Sequence, residues 1–263
     1  MKSITSRDNP LYKELKHLAG SAQARRKEGR SLLDGVHLCE AYLQFVGKPS
    51  LCVVGESALQ HHEVLPLIVQ CEERATTCIA LPDALFDALS QVENGVNILF
   101  LIDTPAAQTA PALRGNAVLL DNLQDPGNLG SILRSAAAAG IQQAYCSTGS
   151  VSAWSPKVLR AGMGAQFMLQ IFENVDLGEL VAGSSVPVLA TSSHATRTIY
   201  QLDLRQPAAW LFGHEGQGVA PELLDLATQQ VAIPHRGHIE SLNVAASAAV
   251  CFFEQLRQQT SQT

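Results

Sequence analysis

The chain has 263 residues, a net charge of −6, 46% hydrophobic and 16% charged residues: enough apolar material for one large or two ordinary domains, and too little charge for disorder. No apolar run approaches the ~20 residues that cross a bilayer, and residues 1–8 lack the apolar stretch of a secretory signal, so no membrane partner and a cytoplasmic location are expected. The six cysteines (Cys39, Cys52, Cys71, Cys78, Cys146, Cys251) include no C-x-x-C pair, which fits reduced thiols used as small hydrophobes rather than disulfides or a zinc ribbon.

Ser6-x-Asp8-x-Pro10 followed by Leu11, Leu15 and Leu18 predicts a capped amphipathic helix with proline in its first turn, and a second short helix covers 22–27. A strand at 31–33 and a helix at 36–45 follow. Further strands are expected at 51–54, 77–81 and 97–102, with helices at 64–74 and 83–89, which together make a small α/β domain. Residues 1–30 hold eight Lys/Arg against three acids, a local charge of +5 that leaves −11 for the rest. A basic arm on an acidic body suits a protein that meets phosphate on one face. The proline- and alanine-rich stretch 103–112 is the best linker, so we divide the chain into an N-terminal domain (1–103), a linker (104–114) and a C-terminal domain (115–263). In the C-terminal part, strands are expected at 117–120, 143–146, 168–172, 186–190, 209–212 and 230–233. Helices are expected at 127–139, 155–160, 177–182, 221–226 and 243–258.

Three polar or glycine-rich turns follow strand-like runs. They are Asp121-Asn122-Leu123-Gln124-Asp125-Pro126-Gly127-Asn128, which opens the helix carrying Arg134; Gly213-His214-Glu215-Gly216-Gln217-Gly218; and Ile233-Pro234 leading to Ser241-Leu242-Asn243. Strand-end turns of this kind point to one site at the carboxyl edge of a parallel sheet. Each has a plain structural alternative: a capped helix, a tight turn, a helix N-cap. A dinucleotide site is disfavoured because G-x-G-x-x-G is missing. His235-x-x-His238, near His214 and Glu240, sits among Pro234 and Gly237 without a cysteine, so no metal is expected.

In this order the three motifs resemble the SpoU (TrmH-type) family of the SPOUT superfamily, RNA ribose 2′-O-methyltransferases. The resembling residues are Asn128 and Arg134, then Gly213 and Glu215, then Pro234, Ser241, Leu242 and Asn243. Ser155-Pro156-Lys157-Val158-x-Arg160-Ala161-x-x-Gly164-Ala165 is similar to the family's connection between motifs. Ser6-x-x-Asn9-Pro10, Ala24-Arg25-x-Lys27-x-Gly29 and Leu33-Asp34-Gly35-Val36 resemble its N-terminal substrate-binding domain, which is similar to L30e-type RNA binders.

The resemblance implies a trefoil-knotted, parallel-sheet methyltransferase domain and a homodimer through that domain. It implies S-adenosyl-L-methionine as cofactor, held by Gly213, Ile233 and Leu242. Arg134, Asn128, Ser241, Asn243 and Glu215 are the implied catalytic or substrate-orienting set. Since arginine does not readily surrender its proton, we expect Arg134 to grip a phosphate, with Asn128 and Asn243 holding its guanidinium. RNA is the expected partner, with rRNA favoured and tRNA the alternative. Two competing readings are a non-catalytic RNA-binding or ribosome-assembly protein of the same fold, and a nucleotide-dependent α/β enzyme without an RNA partner. The last leaves the basic residues 1–30 without a purpose.

Overall fold

The computed structural model describes residues 1–92, 95–237 and 241–260. The chain forms two compact units, Met1–Ala106 with Trp154–Phe167, and Ala107–Ala153 with Met168–Thr263.

The first unit contains β1 (Lys2–Ser3), α1 (Pro10–Gly20), α2 (Ala22–Glu28), β2 (Arg30–Asp34), α3 (Val36–Phe45), β3 (Leu51–Gly55), α4 (Val64–Glu73), β4 (Cys78–Leu81), α5 (Asp83–Phe86) and β5 (Ile98–Asp103). Pro10 starts α1, but its cap is Asn9, whose side chain accepts from the N–H groups of Leu11 and Tyr12, rather than Ser6 or Asp8. Gly29 ends α2 at φ 62, a conformation glycine adopts without strain. The sheet order is β1-β4-β3-β5-β2, with β5 antiparallel to both neighbours. Alternate strand residues face opposite ways. Leu32, Val53, Ile79, Leu99 and Leu101 pack with Tyr12, Leu15 and Leu18 of α1. Leu33, Cys52, Val54, Cys78 and Phe100 pack with α3 and α4 on the other face.

The second unit begins with β6 (Ala117–Leu120), α6 (Pro126–Ala138) and β7 (Gln143–Ser147). The sequence then supplies α7 (Pro156–Gly162), which belongs to the first unit. Domain 115–263, read from the linker alone, is therefore interrupted. Within the first unit Leu159 lies in the α3/α4 core, Phe167 meets Tyr42 edge-on at 5.3 Å, and Ser31 Oγ donates to the Trp154 carbonyl at 2.7 Å. The chain returns for β8 (Gln170–Val175), α8 (Leu177–Ala182), β9 (Val188–Thr191), β10 (Ala209–Phe212), α9 (Pro221–Leu226), β11 (Gln229–Val231) and α10 (Val244–Thr260).

These strands form one sheet, β11-β9-β10-β6-β7-β8, parallel throughout. β6 and β10 are buried at every residue, as in sheets covered on both faces. Ala117, Leu119, Ala209 and Leu211 face α8 and α9. On the opposite face Phe212 meets Phe252 of α10 at 5.7 Å, and Trp210 Nε1 donates to Gln255 Oε1 at 2.8 Å. Because the strands are parallel, β6, β9, β10 and β11 deliver their carboxyl ends to one edge.

Candidate functional site

At that edge the first motif is a turn built to hold a fixed shape. Asp121 N–H donates to the Phe212 carbonyl at 2.8 Å, tying the end of β6 to the end of β10. Asn122 has φ 51, a conformation asparagine tolerates better than most residues. Its N–H donates to Ser147 Oγ at 2.7 Å. Gln124 Nε2 donates to the Gly149 carbonyl at 2.6 Å and to Asn122 Oδ1 at 2.8 Å. Asp125 caps α6 by accepting from Asn128 N–H at 2.8 Å, and Pro126 fills the first helical position.

The second motif closes on itself. A Cβ on Gly213 would lie 2.1 Å from the backbone of Gly218 and Val219, so no side chain fits there. His214 Nδ1 accepts from the N–H groups of Gly216 and Gln217 at 3.0 and 3.3 Å, which makes this histidine a turn-former. Ala220 N–H donates to Asp121 Oδ2 at 3.0 Å, a second tie to the first motif.

Glu215 joins the two motifs directly. Its carboxylate accepts from Asp125 N–H at 2.9 Å, Gln124 N–H at 3.2 Å and Asn128 Nδ2 at 3.1 Å. Burial alone pushes the carboxyl's pKa up, but these donors outweigh it and hold the group below the ordinary glutamate value. Asn243 brings in the third motif by donating from Nδ2 to Asn128 Oδ1 at 2.9 Å. Its Oδ1 accepts from Ala245 and Ala246 N–H, so it also caps α10. Residues from three separated motifs thus form one chain of hydrogen bonds, Asn243–Asn128–Glu215.

Beside this chain lies a cleft of about 860 Å³, lined by Gly213, Ile233, Ser241 and Leu242 and walled by Thr191 and Ser192 at the end of β9. Its mixture of hydroxyls, glycine backbone and apolar Ile233 and Leu242 suits a ligand with a flat ring and a polyol.

Arg134 lies on α6 and is exposed, and among the described residues it has no hydrogen-bond or ion-pair partner. The expectation that Asn128 and Asn243 hold its guanidinium is corrected: both amides are occupied with each other and with Glu215. His235 Nδ1 approaches the Ile233 carbonyl at 3.1 Å. His238 and Glu240 lie outside the described residues, among which no cluster of His, Cys, Asp and Glu could hold a metal ion.

The sequence placed Asp121 and Gln124 in the first motif without a role for either, and Ser147 and the 191–192 wall were missed. The one signal for Ser147 and Thr191 was position, since each ends a strand.

A fully parallel sheet covered by helices, with a ligand-sized cleft and a convergent polar chain at its carboxyl edge, defines an α/β protein of the open-sheet, edge-site class. The SpoU rRNA Methylase family matches residues 115–253. The chain is 35% identical to an uncharacterized tRNA/rRNA methyltransferase of Synechocystis, over 98% of this chain and 94% of that protein. It is 30% identical to the 23S rRNA (guanosine(2553)-2′-O)-methyltransferase of Bacillus subtilis, over 96% and 98% of the two chains. A crystal structure of an RNA 2′-O ribose methyltransferase superposes with a TM-score of 0.83 at 30% identity, covering 98% of this chain and 99% of that one. The chain belongs to the SpoU rRNA methylase family.

Proposed function

We propose that this protein transfers a methyl group from S-adenosylmethionine to a ribose 2′-hydroxyl of ribosomal RNA. The observation that carries the reading is the Asn243–Asn128–Glu215 chain, which gathers three motifs beside one cleft. A non-catalytic RNA binder has no use for a ligand-sized cleft flanked by such a chain. The Bacillus relative acts on 23S rRNA by its name, which favours rRNA over tRNA.

The cleft residues fit the cofactor. The backbone at Gly213, Ile233 and Leu242 would hold the adenosine, with Gly213 letting the turn close against the Gly218–Val219 backbone so that this edge keeps its shape. When bound, S-adenosylmethionine supplies an electrophilic methyl group on a sulfonium. The protein's own task is to align the 2′-oxygen with that methyl and to ease removal of the hydroxyl proton. Alignment alone can supply ~7–11 kcal/mol. Arg134, exposed and free of protein partners among the described residues, is suited to grip the nucleotide's phosphate and lower the hydroxyl's pKa electrostatically. Ser241 orients the substrate from the cleft wall, with Asn128 and Asn243 beside it. Glu215 acts as the latch that fixes Asn128.

The same reading includes a trefoil knot in the second unit, an L30e-like RNA-binding first unit and cytoplasmic residence, the last supported by six free, buried thiols. It also includes a homodimer through α10. That helix buries Ala248, Cys251 and Phe252, yet leaves Phe253 47% exposed, so a second apolar side is available to a partner copy. The test is label transfer from methyl-tritiated S-adenosylmethionine to separated rRNA and tRNA. Label in rRNA supports the reading; label in neither overturns it.

A further inference from the structure

We propose that Arg25 and Arg160 form a fixed two-guanidinium seat for the RNA sugar–phosphate backbone on the first unit. This rests on the reading of RNA as substrate. The two arginines are 135 positions apart in the sequence, yet both belong to that unit, Arg160 through α7.

One carbonyl connects them. Arg25 Nη1 donates to the carbonyls of Leu18 and Ala19 at 2.6 and 3.2 Å. The Ala19 carbonyl also accepts from Gln91 Nε2 at 3.1 Å. Gln91 Oε1 in turn accepts from Nη1 and Nη2 of Arg160 at 3.5 and 3.4 Å. Both guanidinium groups are therefore steered by neutral acceptors that leave the charge in place. Arg25 commits only Nη1, and a guanidinium carries five donors in a planar fork that suits phosphate.

The surroundings are cationic. Arg26 and Lys27 follow Arg25 on α2, Lys157 precedes Arg160 on α7, and all three are exposed. Among the described residues none of these five cations has a carboxylate within 4.0 Å, in contrast to Arg30, which is paired with Glu14 and Asp103. Asp34 borders the same small recess as Gln91 and Arg160, and its Oδ2 accepts from Ser90 Oγ and Gln91 N–H. Burial, and then repulsion from Arg26, push the Arg25 pKa down. Five cations with no carboxylate within 4.0 Å among the described residues, two of them restrained by neutral oxygen acceptors, are arranged for an anionic partner along α2 and α7.

The experiment is binding of a fluorescein-labelled RNA stem-loop to the full chain across a KCl titration, for wild type, R25Q, R160Q, the double variant and R30Q. Each phosphate contact contributes about 0.7–0.9 to the slope of log affinity against log salt, or about three-fold in affinity between 50 and 200 mM. R160Q and R25Q are each expected to lower the slope by that amount, and the double variant by about 1.4–1.8, while R30Q leaves it unchanged. Arg25 also braces the end of α1, so R25Q is accompanied by a melting curve. If it unfolds, R160Q alone decides. Weaker binding with an unchanged slope means that the arginines only support structure, and it overturns the proposal. Label transfer to rRNA by a double variant with unaltered slope would sink the seat and leave the methyltransferase reading standing. Arginine-dependent slopes in a protein that labels no RNA would do the reverse.

Discussion

Replacing Glu215 with glutamine tests the latch most sharply. The carboxylate accepts three hydrogen bonds, from the Gln124 and Asp125 N–H groups and Asn128 Nδ2. Glutamine keeps the shape, but it loses the charge and turns an NH₂ toward backbone donors. Hydrogen bonds to charged groups contribute about 1.5–3 kcal/mol each when shielded. Glu215 is exposed, so solvent competition reduces the three together to about 2 kcal/mol. At about 2–4 °C per kcal/mol for a protein of this size, Tm should fall by about 4–8 °C. If Asn128 is freed as a result, kcat/KM for RNA should fall about 30-fold. Differential scanning fluorimetry and single-turnover methyl transfer read the two effects. The pH dependence carries the same signature. A carboxyl whose folded-state pKa is depressed stabilises the protein above the ordinary glutamate value of 4.5 and loses that contribution as pH falls through the folded value. Wild type should therefore lose the latch only below pH 4.5, and E215Q should lack that acid-dependent loss. Wild-type Tm and activity in E215Q would refute the reasoning.

Arg134→Ala is expected to abolish methyl transfer while leaving S-adenosylhomocysteine affinity within a few-fold by calorimetry, and Arg134→Lys should also be poor because a point charge cannot replace a planar fork; full activity on the true RNA would remove Arg134 from the site. Gly213→Ala must push a Cβ into backbone 2.1 Å away, so cofactor affinity and Tm should both fall, and an unperturbed variant would show that the turn has room. Deleting residues 1–103 strips Leu159, Phe167 and Trp154 of their partners in the first unit, so the fragment should melt lower and aggregate more readily than the full chain; a fragment as stable as the intact protein would show that α7 does not depend on the first unit. Light scattering at micromolar concentration should give about 56 kDa, twice the 28.1 kDa chain, and Phe253→Glu should shift it to the monomer mass.

Much of the fold was legible because local signals agreed with the tertiary result. The helices Val36–Phe45, Leu177–Ala182 and Pro221–Leu226, and the strands Ala117–Leu120 and Ala209–Phe212, end where the pattern places them. Asp176 caps one of these helices and Pro221 starts another, while the two strands are continuous apolar runs between polar turns. Expectation and structure part where only distant contacts decide. β1 is a two-residue strand that exists by pairing with β4, and α5 stops at Phe86 rather than continuing to 89. The return of Trp154–Phe167 to the first unit has no local signal, because Leu159 and Phe167 read as core residues of either unit. At the site, the motifs pointed to Asn128, Glu215 and Asn243 separately. That they bond to one another rather than to Arg134 depends on which side chains the strand ends bring within hydrogen-bond distance, and sequence spacing carries no such information.

The most direct test of the account is nucleoside mass spectrometry of 23S rRNA from cells lacking this gene, with and without a plasmid copy. One 2′-O-methylnucleoside is expected to disappear on deletion, to return with the wild-type gene and not to return with Arg134→Ala. An unchanged set of ribose methylations, or loss of a base methylation in its place, would contradict it.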